Sequence, residues 1–143
     1  MFKGEYSHSI DSKGRLIMPS KFRELLGNTF TVTKGFDQCL MAFDQEGWEQ
    51  FESKLRSQPI NDPRVRKVQR YFIGGAKETE IDKQGRALIP GSLREHAKLG
   101  KEIVLVGVGS FIEIWDKEVW EQEASFDDIS SIAEELQGLG IEF

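Results

Sequence analysis

The sequence predicts an α+β chain, rich in short strands, in which one unit of roughly fifty residues occurs twice. Three observations predict it. The stretch DSKGRLIMPSKFRE at residues 11–24 returns as DKQGRALIPGSLRE at residues 82–95. Apolar residues alternate with polar ones on the approach to the first of these stretches, as they do in a strand with one buried face. Proline and glycine then bracket segments too short to be anything but brief helices.

The repeat aligns Asp11 with Asp82, Gly14 with Gly85, Arg15 with Arg86, Pro19 with Pro90, Arg23 with Arg94 and Glu24 with Glu95. With small gaps it continues, so that Gly27 meets Gly100, Asp44 meets Asp116 and Trp48 meets Trp120. A period this long, present only twice, is a pseudo-symmetric pair and not a solenoid, which needs three or more repeats. The organisation that follows is a first repeat over 5–50, connecting helices over 51–75, a second repeat over 76–119 and an acidic amphipathic helix over 120–143.

Within the first unit Tyr6, His8 and Ile10 share one strand face, and Asp-x-x-Gly-Arg forms a hairpin turn. The aspartate binds nearby amides there, and glycine supplies positive φ. Leu16–Met18 is the return strand, Pro19 opens the first turn of a helix and Gly27 ends it. Pro90 and Gly100 are expected to do the same in the second unit. Strands follow at Phe30–Lys34 and Cys39–Phe43, matched by Ile103–Val106 and Phe111–Trp115. Asp44 and Asp116 are placed to cap helices whose Trp48, Phe51 and Leu55, or Trp120 and Ala124, face the core.

The connector opens with Asp62-Pro63, a cap with proline at the first helical position. Val65, Val68 and Phe72 make its apolar stripe, and Arg66 and Arg70 lie four apart on another face. Near the end Ser125 and Asp128 resemble a capping box, and Ile129, Ile132, Leu136 and Leu139 recur at helical spacing. An exposed stripe of that size is rare on a monomer, so it is expected to cover apolar surface, that of the chain's own second unit before that of a neighbouring copy.

Composition excludes several function classes. A single cysteine, Cys39, rules out an intrachain disulfide, and with only His8 and His96 besides it no ordinary Cys/His metal site can be built. No segment approaches the ~20 apolar residues of a membrane span, and the first residues lack a signal peptide's apolar run, so a cytoplasmic protein is expected. Phosphate-loop and dinucleotide fingerprints are missing, as is any convincing nucleophile and base, so no enzyme, cofactor or small-molecule substrate is expected. Cys39 lies in an apolar strand and reads as packing. The net charge of −5 hides an uneven distribution. Residues 113–143 hold ten acids and one lysine, which leaves residues 1–112 with +4. The basic side chains concentrate around Lys3, Lys13, Arg15, Lys21 and Arg23, and again around Arg64, Arg66, Lys67 and Arg70, and a local patch matters more to a polyanion than the total.

Asp11-x-x-x-Arg15 read alone is a structural brace, with the arginine in solvent. Its duplication argues for more, because a turn needs no arginine for its geometry. An arginine on a rigid hairpin can hold a phosphate or pair with the O6 and N7 edges of guanine. Asp11, Lys13 and Arg15, with Asp82, Lys83 and Arg86, are therefore the candidate nucleic-acid contacts, and Lys3, Arg66 and Arg70 are candidate phosphate contacts. The two loops differ at Lys13, which aligns with Gln84.

From the opening MFKGEYSHSID through both loops, DSKGR and DKQGR, and the following LIMPSKFRE and ALIPGSLRE, the chain resembles the MraZ family of bacterial transcriptional regulators. The resemblance covers nearly the whole chain. It implies a double SpoVT-AbrB fold, a barrel of swapped hairpins, and a nucleoid-associated repressor of the division and cell-wall gene cluster. It further implies a ring-shaped homo-oligomer that binds double-stranded DNA in its own promoter, with function carried by Asp11, Arg15, Asp82 and Arg86. Two loops on an acidic subunit offer few phosphate contacts, so several subunits must engage together. Short guanine-containing direct repeats about one helical turn, ~10 base pairs, apart are the expected target.

Overall fold

The computed structural model describes residues 1–143 and is α+β, with its strands antiparallel throughout. In chain order the elements are β1 (Phe2–Ser9), β2 (Arg15–Ile17), α1 (Ser20–Leu26), β3 (Thr29–Lys34), β4 (Leu40–Phe43), α2 (Gln45–Arg56), α3 (Pro63–Phe72), β5 (Lys77–Glu80), β6 (Arg86–Leu88), α4 (Gly91–His96), β7 (Glu102–Gly109), β8 (Ile112–Asp116), α5 (Lys117–Glu123) and α6 (Ile129–Gly138). No helix is long and apolar enough to cross a membrane.

The hairpins are exchanged between the units. One sheet runs β1-β7-β8-β4-β3-β5, so β1 of the first unit pairs with β7 of the second, and β5 of the second pairs with β3 of the first. The remaining strands, β2 and β6, pair only with each other, Arg15 opposite Leu88 and Ile17 opposite Arg86. The pseudo-two-fold axis passes between β4 and β8, where Leu40 faces Ile114 and Ala42 faces Ile112. Neither unit could close its core without the other.

The core records the duplication. Leu16, Met18, Phe22 and Leu26 from one copy meet Ala87, Ile89, Leu93 and Ala97 from the other in one buried cluster. Where the first copy has a large side chain the second tends to have a smaller one, which lets facing layers interdigitate at near-crystalline density. Phe22 is also held edge-on by Phe2 and Tyr6, with ring centroids 5.8 and 5.0 Å away. Cys39 is fully buried, and burial pushes its thiol pKa up, as expected of a packing residue.

The helix caps follow the sequence at three positions. Asp44 accepts from Gly47 N at 2.7 Å, Asp62 from Arg64 N at 2.9 Å and Asp116 from Glu118 N at 3.2 Å. Elsewhere the expectations need correction. Pro19 and Pro90 are N-caps, one residue before the helices, because Met18 N and Ile89 N are still engaged in strand-like bonds to Gly85 O and Gly14 O. Gly27 ends α1 at φ 82°, but α4 stops a residue sooner. Lys98 takes the left-handed position at φ 54°, while Gly100 N donates to Asp116 Oδ1 instead. Ser125 does not cap α6. Asp128 stands at its N-cap without a side-chain bond, and the Ser125 hydroxyl lies 3.5 Å from Asp127 Oδ2.

A second, smaller core lies on the outer side of the first unit. Met41, Phe43 and Phe72 are buried there among Trp48, Phe51, Leu55, Tyr71 and Phe111. Thr33 Oγ1 donates to Phe72 O, and Gln69 Nε2 to Leu55 O, which fixes α3 to β3 and α2. The tail has no such seat. Ile129, Ile132 and Leu139 are 53%, 40% and 79% exposed, so the apolar stripe of α6 does not cover the second unit. The linker gives the reason: Phe126 leans on Trp120, and α5 is too short to offer α6 the platform that α2 offers α3.

Candidate nucleic-acid interface

The two predicted loops are nearly superimposable in their bonding. Asp11 Oδ1 accepts from Lys13 N at 2.9 Å and Arg15 N at 3.0 Å, while Oδ2 accepts from Arg15 Nε at 2.9 Å. Asp82 Oδ1 accepts from Gln84 N at 2.9 Å and Arg86 N at 2.8 Å, and Oδ2 from Arg86 Nε at 2.9 Å. Bonding from the following arginine's backbone N–H, ahead of its guanidinium, holds each carboxyl below the usual carboxylate range. Each arginine thus spends one of its five donors at home, and neither Nη makes a bond within the chain. A guanidinium fixed at Nε and open at both Nη is oriented in advance for an outside acceptor.

The loops are tied together crosswise. Met18 N donates to Gly85 O and Ile89 N to Gly14 O, both at 2.9 Å. Gly14 and Gly85 take φ 85° and 79°, and a Cβ on Gly14 would lie 2.7 Å from Arg94 Cζ. Arg23 stands against Gly85 in the same way. The repeated Arg23 and Arg94 therefore buttress the opposite loop, a role that their alignment signalled only as recurrence.

The β2–β6 register decides which side chains share a face. Leu16 and Ala87 point inward and are buried. Arg15, Ile17, Arg86 and Leu88 all lie on the other face, with Ile17 49% and Leu88 51% exposed. Arg15 and Arg86 are diagonal neighbours across the ribbon, their Cα atoms roughly 7–8 Å apart, or about two base-pair steps of ~3.4 Å. Sequence reading missed Ile17 and Leu88. Strand alternation with Leu16 would have placed them outward, but only the exchanged pairing brings them between the two arginines.

The other candidates lie elsewhere. Lys13 and Lys83 are exposed at the loop tips. Lys3 sits near the start of β1, opposite Val108 and eight residues from Asp11, so roughly 25 Å along the extended chain from that loop. Arg66 and Arg70 are on α3, where Arg66 Nη1 donates to Ile60 O, and neither touches the ribbon loops. No group of three or more metal-ligating side chains gathers anywhere in the structure.

Comparisons with known proteins agree with this duplicated architecture. The family model described as "MraZ protein, putative antitoxin-like" matches twice, over residues 1–71 and 72–139. The chain is 52% identical to the Transcriptional regulator MraZ of Acetivibrio thermocellus over 143 residues, covering 99% of this chain and 100% of that protein. The regulator of the same name from Lachnoclostridium phytofermentans is also 52% identical, with 100% of each chain covered. That from Thermoanaerobacter sp. strain X514 is 50% identical, with 99% and 100% covered. A solved structure, the solution structure of PHS018 from Pyrococcus horikoshii, matches at 14% identity with a TM-score of 0.34, covering 80% of this chain and 88% of that one, a likeness too slight to carry an argument. With a family model matched over nearly its whole length and relatives about half identical from end to end, the chain belongs to the MraZ family of transcriptional regulators.

Proposed function

We propose that the chain is a sequence-specific DNA-binding repressor whose β2–β6 ribbon enters the major groove. The observation that carries this reading is the outer ribbon face, two Nε-anchored arginines with free Nη groups flanking two half-exposed aliphatic side chains. A two-stranded ribbon fits a groove ~12 Å wide, arginine pairs with guanine O6 and N7, and an aliphatic side chain suits the thymine methyl. Lys13 and Lys83 at the tips meet phosphate, while Lys3, Arg66 and Arg70 reach phosphate only where the duplex passes beyond the ribbon.

One ribbon makes few contacts, so the working unit is a ring-shaped homo-oligomer engaging repeated short boxes in the promoter of its own gene cluster, that of division and cell-wall synthesis. Fluorescence anisotropy with that promoter DNA at several salt concentrations tests the reading. Binding that weakens steeply with salt, and by ~10- to 100-fold for Arg15→Ala or Arg86→Ala, is expected. Affinity unchanged in the double alanine variant removes the ribbon from recognition and leaves a protein-binding scaffold as the better account.

A further inference from the structure

Positive charge is concentrated where α2 meets α3. Residues 54–70 hold six basic side chains and one acid, Asp62, which is already paired with Arg64 at 2.8 Å. Three of the other bases share one space. Arg56 at the end of α2, with Arg66 and Arg70 of α3, lines an open cavity of about 620 Å³ that also holds Ile60, Gln69 and Ile73 and no carboxylate. Arg66 and Arg70 have no acidic partner, and Arg56 has only the 3.7 Å approach of Glu52 to its Nε.

Helix stability does not account for this arrangement. A cation suits the C-terminal end of a helix, which explains Arg56 and Arg70. Arg66, by contrast, stands four residues after the Asp62 cap, toward the positive end of α3, and like charges spaced i,i+4 repel. Its side chain is nevertheless held in place, because Nη1 donates to Ile60 O at 2.8 Å in the α2–α3 turn. That bond uses one guanidinium donor and leaves four. An anion from outside the chain relieves the repulsion that no acid in the cavity offsets.

We propose that this cavity binds a compact polyphosphate, the diphosphate group of inorganic pyrophosphate or of a free nucleotide. Its volume falls in the range of small-ligand sites, ~300–1,000 Å³. Guanidinium forks take phosphate oxygens in pairs, and three of them on one cavity suit the concentrated charge of adjacent phosphates. Ile60, 65% exposed, and Ile73 offer apolar cover for a base or ribose beside them. A duplex instead spreads single charges along a convex backbone, so Arg66 and Arg70 are assigned to the compact anion before DNA. The site lies apart from the ribbon and stands whether or not the ribbon reads DNA.

Isothermal titration calorimetry of the full-length protein with pyrophosphate, ADP and inorganic phosphate tests it. Pyrophosphate binds, and inorganic phosphate binds at least ~10-fold more weakly. ADP tighter than pyrophosphate identifies a nucleotide as the source, through Ile60 and Ile73, and equal affinity identifies the phosphates alone. Arg66→Gln with Arg70→Gln weakens pyrophosphate binding ~10-fold or more, while Lys54→Gln with Lys67→Gln, which removes as much charge from exposed positions outside the cavity, changes it less than ~3-fold. Arg70→Gln alone, at an exposed position, also weakens it, and the melting temperature of each variant reports folding. Equal losses in the two pairs, or phosphate bound as well as pyrophosphate, reduce the site to general attraction of anions and overturn the proposal. A wild type indifferent to millimolar pyrophosphate overturns it too. If the Arg66, Arg70 pair weakens promoter binding and leaves pyrophosphate affinity unchanged, these side chains serve the duplex and the proposal fails.

Discussion

The two halves of the chain agree at their ribbon loops and differ most in the helices that follow β4 and β8. Both ribbon loops set Asp Oδ2 2.9 Å from the arginine Nε and send one 2.9 Å backbone bond across to the other half. Beyond the capping Asp44 and Asp116 and the helical turn that carries Trp48 and Trp120, the likeness ends. The first half continues into a twelve-residue α2 and an α3 that buries Phe72, while the second continues into a seven-residue α5 and an α6 with no buried residue. A strand whose partner is the other copy cannot change alone, since every ladder bond and core contact is shared. A helical excursion that touches only its own half can lengthen, shorten or change charge without disturbing the other.

The largest effect expected from this contrast is on stability. Phe72→Ala deletes a ring packed against Phe51 at 5.4 Å and Tyr71 at 4.8 Å, and costs ~3–5 kcal/mol in urea unfolding. Leu136→Ala, on the tail helix, changes the stability of the isolated monomer by less than ~0.5 kcal/mol. Comparable losses would mean that α6 is seated in its own chain and would break the comparison.

The ribbon makes the opposite demand, equality. Arg15→Ala and Arg86→Ala should each weaken promoter binding ~10- to 100-fold, and by similar factors, since the two guanidinium groups are held alike. Any systematic excess for the first loop measures the contribution of Lys13, which the second replaces with Gln84. Acid acts on both loops together. The lowered pKa of Asp11 and Asp82 means that their stabilising bonds are fully present above the ordinary carboxylate range near pH 4. Those bonds are lost only as pH falls through the lowered values, so lowering pH from 8 to 5 leaves the loops intact. Amide exchange at Arg15 and Arg86 that speeds within that range contradicts the bracing.

A smaller effect belongs to one half alone. Tyr71 OH donates to Gly35 O at 2.7 Å and lies 3.2 Å from His96 Nε2, joining α3 to α4 of the other copy, while Leu25 occupies the matching place in the first unit. Burial, then the charge of Lys34, lowers the His96 pKa. A base whose folded pKa is depressed contributes stability that is full above its unfolded value near 6.5 and is lost as pH falls through the folded one. The melting temperature should therefore drop between pH 7.5 and 5.5, and His96→Leu should flatten that slope. An unchanged slope in the variant assigns the titration to other groups.

Much of this was legible in the chain. The recurrence of Asp-x-x-Gly-Arg located both loops, and Asp44, Asp62 and Asp116 announced their helices because a capping side chain acts within three residues of itself. What stayed hidden was non-local. Alternation shows that β1 has one buried face but not that its partner is β7, since local pattern carries no address. Ile17 and Leu88 therefore looked like ordinary strand residues until the register set them between the arginines. The seat of α6 failed for the same reason, because an apolar stripe states that it needs cover and not whose.

The smallest expected effect concerns how each half ends its first helix, where glycine was expected in both. Gly27 takes φ 82° with nothing within 4 Å of a built Cβ, whereas Lys98 takes φ 54° with a side chain present. A left-handed position costs an L-residue roughly 1–2 kcal/mol, so Lys98 carries strain that Gly27 does not. Exchanging the residue types should therefore give effects of opposite sign. Gly27→Lys meets no neighbouring atom, but φ 82° with ψ −159° is a conformation that essentially only glycine adopts, so stability falls by ~1–3 kcal/mol. Lys98→Gly relieves that term but gives the unfolded chain more freedom, worth ~0.5–1 kcal/mol, and the net gain is small, below ~1 kcal/mol. Paired chemical denaturation of the two variants reads the difference with oligomerisation and DNA absent. Losses of equal size in both would show that Lys98 gains from its side chain what its backbone gives up, and that the two helix ends are equivalent after all.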